Sequence, residues 1–211
     1  FWLQDELRYR YTWIFIRELA SLHFIEALRQ LFQFNLYARP GLVIFNLPPA
    51  ILQVVFLILT GVKTETPLSL TIPSLIQVIA SLMISWLIYR LALRYLKSRL
   101  LALMSVIIHG LLINTNLYLR HIVPYDTALL VYLWFLDMVL RNYRKASAFW
   151  LAAGGGLLTA FLHTVYPAYY LFGIILVFLI TFLSRKRWLT RGFIFAGSFL
   201  SFLLVTELAS R

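Results

Sequence analysis

Six long apolar runs, each ending in a short polar or basic turn, limit what this chain can fold into more than any other feature. They occupy residues 70–93, 100–118, 127–140, 148–162, 168–183 and 193–208. A helix that crosses a bilayer uses about 20 mainly apolar residues. None of the runs alternates polar and apolar positions as a membrane barrel strand would. Hydrocarbon offers backbone amides no water, so the runs must be helices. Hydrophobic residues are 62% of the chain and charged residues 13%, too little polar surface to cover a soluble globule. The expected fold class is all-α, a polytopic membrane helix bundle lying in the lipid bilayer, multi-pass, of an inner or plasma membrane.

The net charge of +11 does not point to nucleic acid, because the basic residues fall in clusters between apolar runs. Arg94 to Arg99, Arg141 to Lys145 and Arg185 to Arg191 are separated by pairs of runs, which places all three on the cytoplasmic side. The chain has no cysteine, which excludes disulfides, thiolate catalysis and cysteine metal sites.

The first third differs. From Leu7 to Phe34 apolar residues mix with Arg8, Arg10, Arg17, Glu18, Glu26 and Arg29, too much charge for a crossing and suited to helices lying in the interface. Arg39-Pro40-Gly41 breaks that stretch. Leu42 to Leu59 is apolar enough to cross, yet Pro48-Pro49 splits it. Counting the alternation backwards from the basic clusters puts the Lys63 loop outside. A full crossing by this run would then leave Asp5 cytoplasmic, whereas a re-entrant or outer-surface course, which Pro48-Pro49 permits and which is the one expected here, leaves Asp5 outside. The expected organisation is residues 1–69 as an external region of juxtamembrane or re-entrant helices and 70–211 as a six-helix transmembrane bundle. A turn at Arg90 to Arg99 separates the first two crossings.

Only eight carboxylates occur in 211 residues, and two of them are adjacent in Gln4-Asp5-Glu6-Leu7-Arg8-Tyr9. Acidic residues in a first turn satisfy free amides and oppose the helix dipole, so a helix start accounts for the pair by itself. The Asp-Glu-x-Arg-Tyr pattern, followed by an aromatic-rich amphipathic stretch, also resembles the first external loop of the GT-C glycosyltransferases that use polyprenyl-phosphate sugars. Within them it is most similar to the protein mannosyltransferase and lipid A aminoarabinose transferase group. The resemblance implies a partial GT-C-like fold, a polyprenyl-phosphate sugar as donor, and transfer on the external face. It makes Asp5 the catalytic carboxylate, with Glu6 beside it to orient it. Arg39-Pro40-Gly41-Leu42 is similar to an element whose basic residue contacts the lipid phosphate, so Arg39, with Arg8, is the candidate donor-phosphate ligand. Arg120 to Asp126 resembles an external turn that carries a second aspartate. Where the family has a Thr-Lys turn, this chain has His163-Thr164. The resemblance also places a first transmembrane helix ahead of Phe1 and a large external loop after Glu207.

Other candidates have competing structural uses. Asp126 suits a helix cap, and beside Arg120 and His121 it leaves support of the site or a divalent metal open. Asp137, inside an apolar run, is explained by an i,i+4 pair with Arg141. His109 within a membrane run could ligate haem or chlorophyll magnesium, but a hydrogen-bonded core histidine is the commoner use. The four histidines lack metal-ligand spacing. Two functions stand: a membrane glycosyltransferase, or a non-catalytic structural subunit of a larger assembly, resembling a truncated GT-C fold.

Overall fold

The structure, a computed structural model, describes residues 4–32, 39–63, 67–111, 124–142, 149–166, 169–181 and 187–210. Among the described residues it is all-helical, with nine helices and no strand. These are α1 Gln4–Ala20, α2 Phe24–Phe32, α3 Pro40–Thr60, α4 Pro67–Leu96, α5 Arg99–Leu111, α6 Tyr125–Asn142, α7 Phe149–Val165, α8 Tyr170–Thr181 and α9 Trp188–Ser210. Three described helices are long and apolar enough to cross a membrane, Pro40–Thr60, Leu68–Leu96 and Trp188–Leu208. With α5, α7 and α8 as shorter apolar helices, this supports a membrane protein built as a helix bundle.

The core is formed by α6 to α9 together with Leu42 and Phe45 of α3. Gly156 of α7 leaves no room for a Cβ against the Phe195 carbonyl and Ser198 of α9, and Phe161 meets Phe202 with ring centroids 4.3 Å apart. Small residues let helices approach closely where apolar burial against lipid provides little drive. Contacts that advance together along both chains make α7 and α9 parallel. Gly155 against Ile180 and Gly173 against Thr159 make α8 antiparallel to α7. Tyr125 beside Tyr166 and Phe135 beside Gly154 make α6 antiparallel to α7 too. The bundle therefore has two ends. One gathers the start of α6 and the finish of α7; the other gathers the finish of α6 and the end of α4, where Arg90, Arg94, Asp137 and Arg141 meet. The second is here the basic end.

Two expectations about breaks do not hold. The stretch from Arg90 to Arg99 is not a loop: α4 continues to Leu96, and only Lys97 and Ser98 separate it from α5. Arginine is a good helix former, so the charge there does not interrupt the helix. Lys97 turns the chain with φ 53°, and Ser98 opens α5, its carbonyl accepting from the Ala102 amide at 3.1 Å. Pro48-Pro49 likewise does not split α3, which is continuous from Pro40 to Thr60. Each proline removes one amide donor, and the bonds on either side hold the helix. Gly61 closes it in the left-handed conformation, φ 68°, its amide donating to the Leu57 carbonyl at 2.9 Å.

The course of α3 follows from its contacts. Its first turn sits against Phe161, Thr164 and Val165 at the finish of α7. Further on, Gln53 donates to Ser69 in the first turn of α4 at 3.4 Å. From Ser69 to Arg94 a continuous helix spans roughly 38 Å at 1.5 Å per residue, and Arg94 is at the basic end. A helix whose second half is beside Ser69 does not reach that end. So α3 leaves the finish of α7 without running down the bundle, although it is long enough to cross. Alongside it lies α1, where Tyr9 donates to Gln53 Oε1 at 2.8 Å and Phe15 joins Ala27 and Val43 in a small core. Since Tyr9 pairs with the later residue of α3 and Phe15 with the earlier, α1 and α3 are antiparallel. The loop before α2 is held by Glu18, which accepts from Arg17 at 3.1 Å and pairs with His23 at 3.1 Å. On α2, Phe24, Ile25 and Leu28 stay exposed, as an interfacial helix would leave them for lipid.

Candidate functional site

The end of the bundle opposite the basic end holds two of the residues that the sequence singles out. Arg39 is the N-cap of α3 in extended conformation, φ −129° and ψ 148°, followed by Pro40 in the first helical turn, where proline's missing amide costs nothing. Its side chain is partly exposed. Position 41 must be glycine, because a Cβ there would run into the Phe161 carbonyl, Thr164 and Val165. That close approach lets the Gly41 amide donate to Thr164 Oγ1 at 2.8 Å, while Thr164 donates in turn to the Phe161 carbonyl at 2.7 Å. Thr164 thus ties α3 to α7.

Asp126 lies in the first turn of α6, ahead of the apolar run 127–140. It is buried, and its Oδ2 atom has no hydrogen-bond partner. Leu42 and Phe45 of α3 share a core with Tyr125 and Ala128 of α6, so the starts of the two helices, carrying Arg39 and Asp126, are neighbours. Burial pushes the Asp126 carboxyl up to about 6 from its ordinary 3.8. Tyr125, Tyr166 and Tyr169 close this end as three rings in mutual edge contact, with centroids 6.2, 6.4 and 5.8 Å apart. Sequence reasoning missed that cluster, whose signal is the Tyr166-Pro167-Ala168-Tyr169-Tyr170 run at the end of an apolar stretch, the usual position of an aromatic belt.

The start of α1 is elsewhere. Tyr9 is beside Gln53, and 14 positions of helix separate Gln53 from Arg39, roughly 20 Å. The first turn of α1, with Asp5, Glu6 and Arg8, therefore points toward the far end of α3, and the structure does not bring it to Arg39. The side chains of these three residues, and Arg120 and His121, lie outside the described residues. His109 is partly buried in α5. Among the described residues no group of three or more His, Asp or Glu side chains could hold a metal ion.

No protein-family model matches this chain, and no curated protein or solved structure matches it either.

The Asp126 carboxyl gives a pH dependence whose sign can be worked out. Its folded value is above its unfolded one, so folding favours the neutral acid. That stabilisation is complete below about pH 4 and is lost as pH rises through about 6. Thermal unfolding in detergent is expected to show a lower midpoint at pH 7.5 than at pH 5. Asp126→Asn is expected to flatten the profile and add at most about 3 kcal/mol at pH 7.5. An unchanged profile in the variant would assign the pH dependence to other groups.

Proposed function

We propose that this chain is part of a membrane glycosyltransferase of the GT-C kind, moving a sugar from a polyprenyl-phosphate donor to an acceptor at the outer face of an inner or plasma membrane. The observation that carries this reading is the placement of Arg39 and of the buried Asp126, whose Oδ2 has no partner, at the starts of two helices that share one core, at the end opposite the basic cluster. In the transfer, an acceptor oxygen bonds to the anomeric carbon, the bond from that carbon to the phosphate oxygen breaks, and a carboxylate takes the acceptor's proton. A guanidinium suits the departing phosphate because it donates two parallel N–H bonds and neutralises charge as it grows. Arg39 takes that role. Asp126, whose buried Oδ2 lacks a partner, is assigned to a sugar hydroxyl, and Asp5 is the base.

A second reading, a non-catalytic subunit of a larger assembly, is favoured by the position of α1, whose first turn is directed away from Arg39. Donor capture separates the two. The full-length protein in detergent is offered a photoreactive polyprenyl phosphate. The transferase reading expects saturable labelling, weakened roughly tenfold to a hundredfold by Arg39→Ala, the loss of one charge-assisted contact. Absence of saturable labelling in the unaltered protein supports the structural reading instead.

A further inference from the structure

Three arginines from two helices surround one carboxylate at the basic end. Asp137 of α6, 5% exposed at its side chain, accepts from Arg141 on its own helix and from Arg94 of α4 at 2.9 Å, with Arg90 of α4 at 3.8 Å. Three guanidinium charges against one carboxylate leave an excess of two. A carboxylate offers about four lone-pair positions, whereas three guanidinium groups bring about fifteen donors, so most of those donors have no claim on Asp137. The three side chains are 34%, 37% and 41% exposed, which puts the spare donors at the surface. The Arg90 guanidinium lies 5.1 Å from the centroid of Trp86, and Trp86, Met83 and Leu82 are exposed one to two turns back along α4.

We propose that Arg90, Arg94 and Arg141 bind the phosphate of an anionic glycerophospholipid in the leaflet at the basic end. Guanidinium forks match phosphate oxygens in pairs, and basic pockets between membrane helices are where anionic headgroups lodge. The exposed Leu82, Met83 and Trp86 give acyl chains an apolar wall directly below the headgroup. Free phosphate shares the headgroup chemistry but gains nothing from that wall, which is why the occupant is a lipid.

The test uses the whole protein, delipidated in detergent and titrated with dioleoylphosphatidylglycerol, dioleoylphosphatidylcholine or inorganic phosphate, with binding read by native mass spectrometry and thermal shift. Phosphatidylglycerol is expected to bind and raise the unfolding midpoint; the other two are not. Arg90→Gln removes the most distant partner of Asp137 and leaves the two closer ones, so unfolding without lipid is expected to stay unchanged. Its affinity for phosphatidylglycerol is expected to fall about fivefold, the weight of one basic residue near a headgroup. Arg29→Gln removes an exposed charge on α2, away from the basic end, and is expected to leave lipid affinity unaltered. Equal binding of phosphatidylcholine, an equal shift from inorganic phosphate, or an equal loss in Arg29→Gln would overturn the site.

Discussion

Asp137→Ala is expected to produce the largest loss of stability of any single side-chain truncation at the basic end. Alanine leaves Arg94 and Arg141 facing each other without their shared carboxylate. Removing one partner of a buried ion pair costs about 3–5 kcal/mol. The arginines here are more than a third exposed, and solvent or headgroups screen them, so about 2–4 kcal/mol is the expected loss. Thermal unfolding in detergent measures it, and Asp137→Asn, which keeps an acceptor oxygen, is expected to lose less. An unaltered midpoint in Asp137→Ala would show that α4 and α6 are held by apolar packing alone.

Asp5→Asn is expected to have the largest effect on activity. It keeps the shape of the side chain and removes the base, so transfer from a labelled polyprenyl-phosphate sugar is expected to fall by about 10²–10⁴, the usual contribution of general base catalysis. Donor capture is expected to survive. Transfer at the unaltered rate would remove Asp5 from the chemistry. The pair of variants is informative because the first turn of α1 lies beside the second half of α3, roughly 20 Å along the helix from Arg39. Loss of transfer in both Asp5→Asn and Arg39→Ala would therefore require α1 to shift along α3 during turnover.

The helical class was legible because hydropathy is averaged over about 20 residues and no tertiary detail alters it. The pair of Asp137 and Arg141 was legible for a similar reason, since residues four apart on a helix are neighbours whatever surrounds them. Arg90 and Arg94 were not, because they come from another helix and only packing chooses them as partners. Charge misled where it was taken for a break: Arg90 and Arg94 decorate the last turns of α4. Arg39 and Asp126 each read as residues at helix starts, but their proximity depends on α3 and α6 packing through Leu42, Phe45 and Tyr125. An amphipathic pattern says that α1 lies on a surface; it does not say which way it points, and that direction separates Asp5 from Arg39.

The bond from the Gly41 amide to Thr164 joins positions 123 residues apart, and this sets a timetable for synthesis. At about 5–20 residues per second, Thr164 leaves the ribosome roughly 6–25 s after Gly41. During that wait α3 has no docking partner in α7, and only α1, α4 and lipid shelter its apolar length. Insertion of the nascent chain is thus a period in which α3 is free to take a different depth from the one it finally holds, until the arrival of α7 fixes its first turn in place.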